Sequence, residues 1–255
     1  MLRRDLILGP LAATLAAAPC AVAAQPAERR SGTASLAAAA GTRTIVFAGR
    51  TWTVKDSAQA LWGPGPNVFS DSAEHVWVDE QGRLHLRIAQ VDGVWRSAEV
   101  IAQDSLGYGS YRFELDTPVD ALDPNVVLGL FTWSDQRAYD HREIDIEFSR
   151  WGDAGAASNV QYTVQPYTTA GHQRAWWLNA GYGSSTHALR WTSARIDFSS
   201  SAFGNPLQAW SFTRRTGIPK PGGETPRINL WLFRGAPPLD GQAVEVVVRA
   251  FTFTP

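Results

Sequence analysis

The sequence predicts an all-β domain of the sandwich or barrel class, and three observations support this. From Arg43 to Pro255 the chain is a succession of short runs with an apolar residue at every second position, bounded by Gly, Pro, Asn or Asp. No stretch carries a sustained helical period. The 255 residues are 44% hydrophobic and 18% charged, which is enough apolar material for the single core of a strand-only domain of about 200 to 250 residues.

Taken in order, Val76-Trp77-Val78 leads through Asp79-Glu80-Gln81-Gly82 into Leu84, a hairpin whose glycine sits where a positive φ is easiest. Leu84, Leu86 and Ile88 alternate with Arg83, His85 and Arg87, and Tyr111, Phe113 and Leu115 with Arg112, Glu114 and Asp116. Each run therefore predicts a half-buried strand. The closing stretch from Val244 to Phe253 reads as a strand buried on both faces.

Upstream of the domain, residues 1–24 read as a signal peptide, with Arg3 and Arg4, an apolar stretch from Leu6 to Ala18, and small residues Ala21-Val22-Ala23-Ala24 suited to cleavage. Arg3-Arg4 fits a twin-arginine export signal as well as a general secretory one. The apolar stretch is too short to span a bilayer, so the expected destination is periplasmic or extracellular, with no membrane contact after cleavage. Residues 25–42 are rich in Ala, Ser, Gly and Thr without periodicity and read as a tether, and residues 43–255 form one domain, expected to be monomeric.

The charges nearly cancel, 23 Lys and Arg against 24 Asp and Glu, which gives no electrostatic footprint for nucleic acid or anionic lipid and points to a neutral partner. The single cysteine, Cys20, falls inside the signal, so the mature chain is expected to have no disulfide and no cysteine metal site. There is no Walker loop, no G-x-S-x-G elbow and no H-E-x-x-H, and five scattered histidines make no zinc motif. No metal ligands are assigned. His75, His85, His172 and His187 read as structural or surface residues. The eleven tryptophans offer flat apolar faces with a polar edge, which suits sugar rings, although core packing claims more than half of them.

The informative segment is Asp140-His141-Arg142-Glu143-Ile144-Asp145-Ile146-Glu147-Phe148. In a strand, Ile144, Ile146 and Phe148 face the core while Glu143, Asp145 and Glu147 stand in a row on the other face. Neighbours two apart have Cα atoms about 6.7 Å from one another, and two full charges at that spacing repel by about 2.5 kcal/mol at an effective dielectric of 20. Such a row tends to keep one member protonated, as a general acid beside an ionised nucleophile must be. Glu143 and Glu147, with Cα atoms about 13 Å apart, can bring their carboxyls together only by leaning toward each other. The same pattern occurs on the solvated face of amphipathic strands and in calcium sites, and by itself it does not choose among these.

The wider context adds to it. "HREIDIEF" resembles the catalytic strand of glycoside hydrolase family 16. "GYGSYRFELDTP" followed by "NVVLGLFTWSD" is similar to the stretch just before that strand, and "NVQYTV", "HALRW" and "RINLWLF" resemble later strands, in the family's order. The resemblance covers most of Trp52 to Pro255. It implies a concanavalin-like β-jelly-roll sandwich with a concave substrate cleft, and a retaining endo-acting hydrolase of a β-linked polysaccharide, a β-glucan above all. By the same resemblance Glu143 is the nucleophile, Glu147 the general acid/base and Asp145 the residue that modulates the nucleophile. Glu99, Phe131, Trp133, Asn229, Trp231 and Asn67 stand at positions that contact sugar, and His141, two before the nucleophile and where a Trp is usual, is a further substrate-binding candidate. No cofactor is required. A calcium ion on the convex face would also resemble the family, but no ligands are identifiable.

The regular spacing of the three carboxylates, with no inserted residue, is similar to the mixed-linkage glucanase and transglycosylase branches of the family. Ile101 stands where an Arg is usual there, and Thr163 and Gln165 where Asn and Tyr are usual. These departures bear on which sugar is bound. Two other functions fit the same fold: a transglycosylase, in which a sugar hydroxyl replaces water, and a lectin-like module that binds glycan without cleaving it.

Overall fold

The computed structural model describes residues 42–179, 181 and 183–255. The expected signal peptide, and the tether apart from Thr42, lie outside the described residues. Within these residues the regular structure is sixteen strands and three short 3-10 turns, with no α-helix. In chain order the strands are β1 (Thr44–Phe47), β2 (Arg50–Val54), β3 (Val68–Phe69), β4 (Val76–Val78), β5 (Leu84–Val91), β6 (Val94–Ala102), β7 (Gly109–Leu115) and β8 (Val126–Trp133). There follow β9 (Ile144–Phe148), β10 (Val160–Val164), β11 (Gln173–Trp176), β12 (Ser185–Trp191), β13 (Ile196–Ala202), β14 (Asn205–Phe212), β15 (Thr225–Leu232) and β16 (Val244–Thr254).

They stack as two antiparallel layers. The inner layer runs β11-β10-β9-β8-β15-β6, with β2 and then β1 beyond β6; the outer layer runs β5-β16-β7-β12-β13-β14, with β4 on the free side of β5. The β5–β6 hairpin joins the two, pairing Ala89 with Arg96 through Val91 with Val94. The alternation expected from the sequence is what holds the layers together. Leu84, Leu86, Ile88, Tyr111, Phe113 and Leu115 from the outer layer meet Leu128, Leu130, Ile144, Ile146 and Phe148 from the inner one, all fully buried. Each such side chain contributes about 1.5–3 kcal/mol of burial. The hairpin of β4 with β5 forms as expected, with Gly82 at φ 77°.

β16 corrects one expectation. It is buried on one face only, with Val246, Val248 and Phe251 inside and Glu245, Arg249 and Thr252 outside. The register slips between Val248 and Ala250, where one extra residue moves the inward row from Val246 and Val248 on to Phe251 and so resets the alternation.

Under the catalytic-strand candidate β9, the core is polar at one point. His187 on β12 is fully buried, its Nδ1 2.7 Å from Ser200 Oγ and its Nε2 2.8 Å from Ser185 Oγ. Its ring meets Phe148 edge-on at 4.7 Å, and Ser200 Oγ also bonds Tyr162 Oη on β10 at 2.6 Å. A neutral imidazole is satisfied by two hydroxyls, one donating and one accepting. Burial pushes the imidazole down to about 3. The unfolded chain takes up this proton near the ordinary value of about 6.5 and the folded chain does not, so stability is full above that pH and is lost as pH falls toward 3. Between pH 7 and pH 5 the wild-type protein is expected to lose about 2 kcal/mol more unfolding free energy than His187→Asn. Urea titrations of both proteins at the two pH values measure this, and parallel losses would contradict it.

Candidate active site

β9 presents its polar row to the face of the inner layer that points away from the core. Asp145 pairs across β8 with Phe131 and across β10 with Thr163; Glu147 pairs with Gly129 and Gln161. Continuing across the layer, Gly129 is opposite Asn229 and Asn229 opposite Glu99, while Phe131 is opposite Arg227 and Arg227 opposite Ile101. Two rows therefore cross the sheet at right angles to the strands. One is Gln161, Glu147, Gly129, Asn229 and Glu99, and the other is Thr163, Asp145, Phe131 and Arg227. Asp145 is buried and Glu147 half-buried. The Gln165 amide Nε2 donates to Asp145 Oδ2 at 3.1 Å.

Glu143 is not part of β9, as the sequence predicted it would be. It is the extended residue (φ −83°, ψ 123°) at which a 3-10 turn, Asp140–Arg142, passes into the strand. Its carbonyl still accepts from the Gln165 backbone N–H at 3.2 Å, so it stays in line with β10. The turn is left-handed: Tyr139, Asp140, His141 and Arg142 have φ of 55°, 48°, 63° and 55°. For residues other than glycine each of these costs about 1–2 kcal/mol, and such strain persists only where the surroundings impose it. Here they do so at several points. The buried Arg142 guanidinium donates from Nε to Lys220 O (2.8 Å) and from Nη1 to Ala138 O (3.4 Å). Thr132 Oγ1 donates to Arg142 O at 2.8 Å. His141 donates from Nδ1 to Ser134 O, and the Ser134 N–H donates to His141 O. Gly222 has no room for a side chain, because a Cβ there would collide with the Arg142 guanidinium.

Two aromatic groups flank the rows. At one end of the strands His141 stacks flat on Trp133, with centroids 4.0 Å apart and ring planes 6° apart. At the other, Trp231, Val127, Phe69 and Phe233 form a second apolar cluster outside the main core, against which Trp62 and Trp151 pack. Between them the two rows form the floor of that face of the inner layer.

Several residues singled out in the sequence sit on this floor in ways the sequence did not foresee. Trp231 is on the expected face but buried, with Trp151 centred 6.2 Å from it. Glu99 is 1% exposed and ion-paired with Lys55 at 2.7 Å and Arg227 at 3.5 Å. Asn67 lies under a loop, where it ties the chain together. Its Nδ2 donates to Pro64 O and Leu232 O, and its Oδ1 accepts from Ser97 Oγ and Leu232 N. Phe131 is buried in the floor, and Trp133 is half-buried, its Nε1 donating to Asp135 at 3.2 Å. Asn229 differs from these: its Oδ1 is buried with no hydrogen-bond partner, in the space over Gly129 beside Glu147. A Cβ at Gly129 would collide with that oxygen.

Sequence reasoning missed Arg227 and Lys55. Arg227 was within reach, since it shares the parity of Asn229 and Trp231 and alternates with Ile228 and Leu230 as they do. It bridges Glu99 and Asp135 (3.4 Å) and lies 5.8 Å above the Trp133 ring. Among the described residues no group of three or more His, Cys, Asp or Glu side chains is arranged to hold a metal ion, so the calcium expectation gains no ligand set.

No family model matches the chain, and no curated protein matches it in sequence. Solved structures do. A Bacillus licheniformis β-glucanase superposes with a TM-score of 0.55 at 18% identity, over 80% of this chain and 92% of the other. A glycoside hydrolase family 16 endo-glucanase from Bacteroides ovatus gives 0.57 at 15%, over 80% and 94%. The chain has the jelly-roll fold of these glucanases. A third neighbour, at 0.56 and 20% over 78% and 88%, is a Mycobacterium tuberculosis protein described as an immunostimulatory antigen and pseudo β-1,3-glucanase. The fold alone therefore does not decide the chemistry; the side chains on β9 have to.

Proposed function

We propose that this chain is an exported family 16 glycoside hydrolase that cleaves a neutral β-glucan with retention, using Glu143 as nucleophile and Glu147 as general acid/base. The observation that carries this is the succession Glu143, Asp145, Glu147 at the start of and along β9, with the unmet Asn229 acceptor standing over Gly129 beside Glu147. In the first step Glu143 attacks the anomeric carbon and Glu147 protonates the departing oxygen. In the second, Glu147 as base takes a proton from water, which displaces Glu143 from the covalent intermediate. Asp145, fixed by Gln165, stands between them and holds hydrogen-bonding capacity toward either carboxyl. Export rests on the N-terminal sequence alone.

The neutral character of the substrate follows from the floor. Glu143, Asp145, Glu147, Glu99 and Asp135 outnumber Lys55 and Arg227, so a sulfated or uronic polymer meets net repulsion. Arg227 also supplies, from the strand opposite Ile101, a guanidinium in the part of the floor where the family resemblance led to expect one.

The test is release of reducing ends from mixed-linkage glucan, laminarin and xyloglucan beside carrageenan. Cleavage of at least one of the three neutral glucans and none of the sulfated polymer is expected. Binding of a glucan without any released ends would instead identify a lectin-like module.

A further inference from the structure

The near-cancellation of charge over the whole chain hides a segregation. Residues 154–223 carry six Lys and Arg, at Arg174, Arg190, Arg195, Arg214, Arg215 and Lys220, against one carboxylate, Asp197, which Arg195 pairs at 2.7 Å. That segment contains β10 to β14, so the excess falls on one edge of the sandwich, where the inner layer ends in β11 and the outer layer in β14. We infer that this edge, at the end where β11 begins and β14 finishes, docks a linear polyol-phosphate polymer, a chain with one phosphodiester per repeat, and that Arg137, Arg214, Arg215 and Lys220 hold its phosphates. The carboxylate rows around β9 are no part of this surface, and the inference does not depend on the glycosidase reading.

The local packing draws the four cations to one place. His172, just before β11, meets Phe212 at the end of β14 edge-on at 4.8 Å, and a Cβ on Gly171 would collide with the Arg214 guanidinium. Thr216 and Gly217, in the turn after β14, share a recess of about 250 Å³ with Tyr139 and Asp140 of the left-handed turn. The Arg142 bond to Lys220 O ties residue 220 to that same turn, and Arg137 comes two residues before Tyr139. All four cations are exposed, and among the described residues none of them is in an ion pair. Asp140 is the one carboxylate in the lining of the recess.

The chemistry selects the partner. Three of the four cations are arginines, whose planar forks match the paired oxygens of a phosphate. Between them the hydroxyls of Thr169 and Thr216 suit the hydroxyls of a polyol. A bilayer fits less well, because a membrane-binding surface carries its cations and its large apolar side chains together. Here the most exposed aromatic side chains of the described residues, Phe203 and Trp177, lie at the tip of the β13–β14 hairpin and just past β11, the opposite ends of those strands. Single-stranded nucleic acid needs successive aromatic platforms for its bases, and Tyr139 is the one exposed aromatic ring in the lining.

The experiment titrates fluorescein-labelled poly(glycerol phosphate) with the purified protein by anisotropy across a range of NaCl concentrations. Oligothymidylate, polygalacturonate and vesicles of pure phosphatidylglycerol are measured beside it at equal anion content. Two triple variants are compared. One is Arg214→Gln with Arg215→Gln and Lys220→Gln; the other, Arg112→Gln with Arg234→Gln and Arg249→Gln, removes the same charge from exposed arginines elsewhere. The polyol phosphate is expected to bind most tightly and to weaken as salt rises. The first variant is expected to bind it about tenfold or more weakly, with the slope of log affinity against log salt reduced by about 2, and the second to stay within about twofold of the wild type. Arg137→Gln alone is expected to act in the same direction as the first. Equal losses in the two triple variants overturn the site, since net charge alone then accounts for the binding. Tighter binding of vesicles, oligothymidylate or polygalacturonate overturns the choice of partner, and no binding to any of the four overturns the docking surface.

Discussion

Glu143→Gln is expected to lower turnover of a glucan substrate by about 10⁴-fold or more, with binding retained, because an amide cannot form the glycosyl ester on which the two-step reaction depends. Glu147→Gln is expected to cost about 10²- to 10⁴-fold, the range for loss of a proton-transfer group. The two variants separate when the leaving group changes. An aryl glycoside whose phenolate departs without protonation spares Glu147→Gln in the first step and does not spare Glu143→Gln. Measuring kcat/KM, which reports the first step alone, for both variants on both substrate types tests the roles, since the second step still needs Glu147 as base. The reverse pattern would exchange them, and full activity in both variants would remove them.

The second large effect is expected at Arg142, a residue that touches no substrate in this account. Arg142→Ala leaves the carbonyls of Lys220 and Ala138 without their donor and opens a void under Gly222. The combined loss is about 3–5 kcal/mol of stability. The strained turn then relaxes, and because Glu143 follows directly, its carboxylate moves. A misplacement of about 1 Å costs about 10²-fold in rate. Arg142→Ala is therefore expected to show a lowered melting temperature together with a kcat loss of that order, measured well below the new melting point. Arg142→Lys, which keeps a donor, should recover part of both. A stability loss with kcat unchanged would show that the turn does not position Glu143.

What was legible in the sequence followed from alternation. Period two placed Leu84 to Ile88 and Tyr111 to Leu115 in the core, and the same parity put Asp145 and Glu147 on the opposite face from Ile144 and Ile146. Where parity breaks, the reading failed. In β16 the apolar run Val246-Val247-Val248 concealed the slip at Arg249. The left-handed turn before Glu143 contains no Gly or Asn to announce it. Contacts from Ser134 and Lys220, distant in the chain, impose it. Parity also says which face a residue takes but not what covers it. Trp231 is on the expected face, under Trp151, and Glu99 is held by Lys55, just after β2, and by Arg227 on β15.

The central claim is that two carboxylates on one strand carry out a two-step displacement on a β-glucan. The most direct test is the proton NMR spectrum of the anomeric region during the first minutes of hydrolysis, before mutarotation equilibrates the ends. The account predicts that the β-anomer of the new reducing end appears first and the α-anomer grows in later. First appearance of the α-anomer would show a single displacement through water and contradict the role given to Glu143, and no new reducing end from any β-glucan would contradict the glycosidase reading itself.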